Sequence, residues 1–184
     1  GYSRLVIDCN RQLGDPSSIA QVSDGVRIPG NCGLTDSDRA RRVAACFEPY
    51  HRAVTGLIDG RRRAGLVPAV ISMHSFTPVM NGFERPWHIG ILWNRDPRLP
   101  VPMMARLQAA GAICVGDNEP YTGRDEHGYS IYVHGQNLGL PHLLIEVRQD
   151  LIDTHHGAAA WADRLAGALT DVLSDKSIFT VEYF

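Results

Sequence analysis

Lysine is almost missing from this chain of 184 residues: of its 18 basic side chains, one is Lys176 and the rest are arginine. Against 20 acidic residues the formal charge is −2. That excludes the basic excess that follows a nucleic-acid backbone, and the expected partners include neither nucleic acid nor a membrane. Long apolar runs are missing too. No stretch reaches the ~18 consecutive apolar residues of a membrane span, and the start has neither the basic nor the apolar region of a signal peptide. The four cysteines, Cys9, Cys32, Cys46 and Cys114, lack C-x-x-C spacing and read as reduced structural thiols of a cytoplasmic protein. A chain of this length buries roughly 70% of the surface it exposes when unfolded, so it folds without a disulfide or metal staple. Any metal would serve chemistry. What the composition does supply is guanidinium groups, which hold carboxylates through two parallel hydrogen bonds and leave room for small anionic ligands.

The short apolar run Leu5-Val6-Ile7 opens into the polar turn Asp8-Cys9-Asn10-Arg11 and reads as a buried strand. Thr35, with Asp38 three residues on, has the pattern of a helix start. Val43, Phe47, Tyr50, Val54 and Leu57 or Ile58 continue at helical spacing to Arg61-Arg62-Arg63, with a kink or break expected at Pro49. Further strands are expected at 66–73, 88–93, 112–115 and 143–147, helices at 103–110 and 157–173, and a loop-rich insertion at 117–139. Strands alternating with helices predict an α/β fold, a mainly parallel or mixed central sheet flanked by helices, in one domain over 1–184. In such sheets function gathers at the carboxyl ends of the strands.

Three strand ends carry chemistry. His74 follows the second strand and reads either as a histidine satisfied in the core or as a metal ligand or general base. Glu146 interrupts the apolar strand Leu143-Leu144-Ile145-Glu146-Val147. A carboxylate buried there answers with a raised pKa, as a general base requires, unless it forms a structural ion pair with Arg148 on the same face. Arg148 is also a substrate-binding candidate. Asn10-Arg11 combines an amide with a guanidinium at a turn, suited to a carboxylate, although a plain turn with a surface arginine has the same sequence. Arg4, Arg85 and Arg95 are further cationic candidates. Among the other histidines, His88 and His142 fit the same crevice, His51 reads as helix packing, His155 and His156 as a solvated helix start, and His127 and His134 as loop residues without metal-ligand spacing.

The runs at 2–11 (YSRLVIDCNR), 72–78 (SMHSFTP), 85–99 (RPWHIGILWNRDPRL), 116–123 (GDNEPYTG) and 140–152 (LPHLLIEVRQDLI) together resemble the N-formylglutamate amidohydrolase family, itself similar to the zinc carboxypeptidases. The resemblance implies a carboxypeptidase-like fold and zinc as cofactor. It implies His74 as a zinc ligand, Glu146 as the base promoting attack by zinc-bound water, Asn10 and Arg11 as the grip on the substrate carboxylate, and Tyr121 as a mobile-loop residue closing over substrate. The implied reaction is hydrolysis of a small anionic N-acyl amino acid, such as N-formylglutamate to glutamate and formate. The resemblance further implies a histidine and a carboxylate ligand in a segment preceding Tyr2, so the domain is expected to be N-terminally incomplete. The alternatives are an inactive or metal-free carboxylate-binding domain, and an amidohydrolase of the same mechanism acting on another N-acyl substrate.

Overall fold

The computed structural model describes residues 2–124 and 128–184; the loop histidine His127 lies outside them. A hairpin of β1 (Val22–Ser23) and β2 (Val26–Arg27) precedes α1 (Asp36–Arg42) and α2 (Glu48–Arg63), which a π turn at Val43–Phe47 joins into one long helical arm. Then come β3 (Val70–Phe76), a second hairpin of β4 (Val79–Met80) and β5 (Phe83–Glu84), β6 (Ile89–Leu92), α3 (Pro100–Ala109), β7 (Val115–Asp117), α4 (Tyr129–His134), β8 (His142–Arg148) and α5 (His155–Leu173). None of the described helices is long and apolar enough to cross a membrane.

The helical arm begins where its sequence says it should. The Thr35 hydroxyl accepts the Asp38 amide at 3.1 Å, and the Asp38 carboxylate accepts the Thr35 amide at 3.0 Å, so two orphan donors of the first turn are satisfied reciprocally. Pro49 falls in the first turn of α2, directly after the π turn, where a missing amide hydrogen is tolerated. The arm therefore continues to Arg63 instead of breaking.

The central sheet has the order β3-β8-β6-β7, with β3 parallel to β8, β6 parallel to β7, and β6 antiparallel to β8. It is the expected mixed sheet with helices against it. Alternation along the strands sends Leu143, Ile145 and Val147 of β8, with Ile89 and Ile91 of β6, to one face. Leu99, Met103 and Leu107 from the α3 region and Trp161, Leu165 and Val172 from α5 close over them to form the main core. The second face carries the polar members of the same strands and is covered only in part, where Ile131 of α4 packs on Leu92 and Leu144.

Several expected boundaries move. The apolar run Leu5-Val6-Ile7 is not a strand but a turn segment, in which the Val6 amide donates to the Ser3 carbonyl at 2.9 Å and the Asp8 amide to the Ser18 carbonyl at 2.7 Å. Its apolar character reflects Ile7 packing on Ile19 and Phe47 in a small separate core. β3 starts at Val70, which puts His74 inside the strand, and the insertion at 117–139 contains α4.

What fixes the N-terminal segment is one buried amide. Asn31, 2% exposed, donates from Nδ2 to the carbonyls of Leu5 and Ala20 at 2.9 and 2.6 Å and accepts Arg42 Nη1 at 2.7 Å. Arg42 extends the clamp to the carbonyls of Val6 and Gly30, each at 2.7 Å. Asn31→Ala removes the partner of three buried or part-buried polar groups, and should lower unfolding free energy by about 3 kcal/mol in urea denaturation. An unchanged midpoint would mean that the clamp is not what orders residues 5–20.

Candidate functional site

Strand register builds the second face. His74 stands opposite Glu146 in the β3–β8 pair, Gly90 opposite Glu146 in β8–β6, and Gly116 opposite Gly90 in β6–β7. Directly paired residues project to the same side, so one row across the sheet reads His74, Glu146, Gly90, Gly116. The two glycines form a floor. A Cβ on Gly90 would stand 2.0 Å from the Glu119 carbonyl oxygen, and one on Gly116 would stand 2.8 Å from Glu119 Cβ. Without those side chains the loop after β7 lies flat on the sheet and brings Pro120 and Tyr121 to the cleft that Glu146 also lines.

That cleft has a volume of about 1120 Å³, ample for an amino-acid derivative. Asn10, Arg11, His74, Tyr121 and Glu146 share its wall, so the structure brings together five of the six residues singled out in the sequence. Arg148 goes elsewhere: its Nε donates to Asp150 at 2.8 Å and its Nη1 to the Arg85, Pro86 and Trp87 carbonyls at 3.3 to 3.5 Å. It therefore does not neutralise Glu146. His142 lines the cleft, whereas His88 accepts the Cys114 amide at 2.8 Å and is not on the wall.

Glu146 is 7% exposed, and its Oε2 has no hydrogen-bond partner among the described residues. Burial pushes its pKa from 4.5 up to about 7, against the opposing pull of Arg4, Arg11 and Arg85. Desolvation thus outweighs three guanidiniums. Burial also lowers the pKa of His74, more strongly than Asp8 raises it, and Arg4 and Arg11 add to the lowering. His74 Nε2 lies 2.8 Å from the Ser72 hydroxyl.

The turn beside them is organised by Asp8, a residue sequence reasoning passed over. Asp8 is buried, accepts the Asn10 amide through Oδ1 at 2.9 Å and holds Arg4 Nη2 through Oδ2 at 2.5 Å. The signal was available, since an Asp two residues before Asn10 is the signature of an Asx turn. Asn10 Oδ1 accepts the Ser130 amide at 2.8 Å, which commits its acceptor end and leaves amide donors to offer a ligand. Arg11 Nη1 donates to the Asn10 carbonyl at 2.9 Å. Arg85 Nη1 donates to the Tyr121 hydroxyl at 3.1 Å and its guanidinium lies 4.9 Å from that ring's centroid, so Tyr121 is docked on a buried cation.

The zinc expectation is corrected by these groups. A catalytic zinc takes three protein ligands and an open position. Among the described residues no group of three or more His, Cys, Asp or Glu side chains could hold a metal ion. His74 and Glu146 are paired in register, but among the described residues no third donor joins them. The residues present therefore do not fit zinc. Zinc-dependent hydrolysis, zinc as cofactor and the metal-dependent enzyme class lose their basis among the described residues.

A sequence model of the N-formylglutamate amidohydrolase family matches residues 1–153. Among solved structures, a gene product from Agrobacterium tumefaciens is similar with a TM-score of 0.89 at 38% identity, over 94% of this chain and 68% of that one. An N-formylglutamate amidohydrolase from Ralstonia eutropha is similar with a TM-score of 0.63 at 21% identity, over 93% of this chain and 73% of that one, a likeness of fold. No curated protein matches the chain.

Two measurements test the site's construction. Gly90→Ala should lift the Glu119 segment at a cost of about 1–3 kcal/mol in stability, and loss of the Arg85–Tyr121 contact should show as greater solvent access to Tyr121 in fluorescence quenching. A variant as stable as wild type would mean that the loop does not rest on the floor. For Glu146, the unfolded chain ionises near 4.5 and the folded one near 7, so the folded state binds more protons between those values. Wild-type stability is thus intact below the lower value, declines as pH rises through the interval and is level above it. Relative to Glu146→Gln the decline from pH 4 to pH 8 should be about 3 kcal/mol by urea denaturation. A pH-independent difference would show that Glu146 titrates as an ordinary surface carboxyl.

Proposed function

The chain belongs to the N-formylglutamate amidohydrolase family, and from that premise we propose that its cleft binds small anionic N-acyl amino acids by their carboxylates. The observation that carries this reading is the charge of the cleft. Arg4, Arg11, Arg95 and Arg124 line it against two carboxyls, Asp8 and Glu146, and Glu146 is half protonated near neutrality. An anion entering the cleft restores balance.

Asn10 and Arg11 supply the grip. The Asn10 amide and the Arg11 guanidinium stand on consecutive residues of a turn pinned by Asp8, and such a pair holds a carboxylate with charge-assisted hydrogen bonds. Tyr121, held by Arg85, also lines the cleft and offers a hydroxyl to the acyl portion. Glu146 is the proton-holding group. In its neutral form it donates from a carboxyl oxygen to a ligand oxygen, and in its ionised form it accepts a proton. Charge and donor placement thus support an anionic ligand, on which these residues act by binding, orienting and exchanging a proton.

Titration calorimetry with N-formyl-L-glutamate tests this. Binding should weaken about tenfold or more in Arg11→Ala, the scale of one lost charge-assisted contact. The sign of the pH dependence is set by Glu146: the protonated acid accommodates an anion and the carboxylate repels it, so affinity should be higher at pH 6 than at pH 8, with the difference abolished in Glu146→Gln. Arg11→Ala binding as tightly as wild type would remove the turn from the ligand site.

A further inference from the structure

Two histidines that the cleft does not use meet beside the Asn10-Arg11 turn. His51 of α2 and His134 of α4 approach through Nδ1 and Nε2 at 2.8 Å, and His51 Nε2 lies 2.8 Å from the Cys9 carbonyl oxygen. Their rings stack with centroids 5.1 Å apart and planes 21° apart, and Phe47, Tyr50 and Tyr129 surround His51 at centroid distances of 4.3, 4.9 and 5.2 Å. Packing alone would be satisfied by a phenylalanine. The polar geometry asks for more.

A carbonyl oxygen can only accept, so His51 Nε2 must carry the hydrogen. In a neutral imidazole Nδ1 is then the acceptor, and His134 Nε2 must be the donor that faces it. Burial lowers the pKa of both rings, which keeps them neutral, but the direction of the chain is set by the carbonyl. α4 also reaches the turn by a second route, the Ser130 amide donating to Asn10 Oδ1 at 2.8 Å. The turn is therefore held at Cys9 by its backbone and at Asn10 by its side chain, from helices distant in sequence.

The geometry points to His51 and His134 as positioning residues: a donor chain of fixed tautomer that docks α2 and α4 on the Cys9 carbonyl and thereby orients the Asn10 amide and the Arg11 guanidinium toward a ligand carboxylate. The assignment rests on the reading of the cleft as a carboxylate site. Neither ring touches ligand in this arrangement; both act through the turn.

Nitrogen-15 NMR of the ligand-free protein should show His51 protonated at Nε2 and bare at Nδ1, and His134 protonated at Nε2. His51→Gln keeps an amide donor for the Cys9 carbonyl, whereas His51→Phe keeps only the ring. The Asn10 and Arg11 amides, which donate to Asp8, should exchange with solvent about tenfold faster in His51→Phe, the scale of one lost hydrogen bond, and near the wild-type rate in His51→Gln. Affinity for N-formyl-L-glutamate should follow the same order. The opposite tautomer at His51, or wild-type exchange in His51→Phe, would overturn the assignment. If His51→Phe does not fold, the tautomers of the wild-type protein decide the matter. Expected tautomers and exchange rates with no binding of N-formyl-L-glutamate by wild type would sink the cleft reading, and with it the orientation toward a ligand, while the docking of α2 and α4 on the turn would stand.

Discussion

Glu146 stands on β8, which has a hydrogen-bonded strand on either side, and shares its row with His74 and Gly90. A carboxyl in that position cannot leave the cleft face, because its backbone is fixed by two ladders and Leu143, Ile145 and Val147 anchor the other face of the strand in the main core. The protein must therefore manage the charge where it is. It surrounds the group with Arg4, Arg11 and Arg85, and these fail to offset the desolvation, so the acid keeps its proton to about pH 7. Placing an unsatisfied acid at the centre of a sheet is destabilising, and such placements mark sites where stability is given up for binding or chemistry. The rest of the cleft follows from accommodating this one group.

The accommodation is divided between the two faces of one sheet. Alternation gives β8 an apolar side that α3 and α5 cover and a second side, with His142 and Glu146, that α4 covers in part and the cleft borders. Partly covered does not mean loosely built. The loop bearing Tyr121 lies on a floor made by Gly90 and Gly116, and the turn bearing Asn10 and Arg11 is bonded to Asp8, Ser18, Ser130 and His51. Stiffness on the cleft face thus comes from hydrogen bonds and close backbone contact, while on the other face it comes from apolar packing.

Much of this was legible in the sequence, for physical reasons that differ by element. Glu146 stood out because strict alternation leaves no ordinary place for a carboxylate inside an apolar run, and the Thr35–Asp38 pair did because capping is a local interaction. The strand expected at Leu5-Val6-Ile7 failed because three apolar residues report burial and say nothing of backbone pairing; Ile7 is buried against Ile19 and Phe47 without a partner strand. The zinc expectation came from local likeness around His74 and Glu146, and a ligand set is a convergence of three groups that local likeness cannot supply. His51 read as packing because its polar partner, His134, lies 83 residues away.

The near-absence of lysine finds a physical reason in the way the arginines are used. Arg42 ties together the carbonyls of Val6 and Gly30 and the side chain of Asn31, and Arg98 holds Asp96 together with the carbonyls of Ile178, Thr180 and Gly139. Arg148 gathers the Arg85, Pro86 and Trp87 carbonyls. A planar guanidinium with five donors can bridge several acceptors at once, whereas an ammonium is a point charge on a flexible stem. In the cleft the argument shifts from geometry to titration. A lysine beside Glu146 would lose its proton readily on burial and could satisfy the acid by a simple proton exchange, whereas a guanidinium stays charged. Arginine keeps the field of the cleft positive whatever the state of Glu146, so protonation of that acid from solvent raises the charge of the site by one, whereas proton exchange with a lysine would leave it unchanged. Clamping irregular backbone and holding a constant positive field are separate demands, and both select the same side chain.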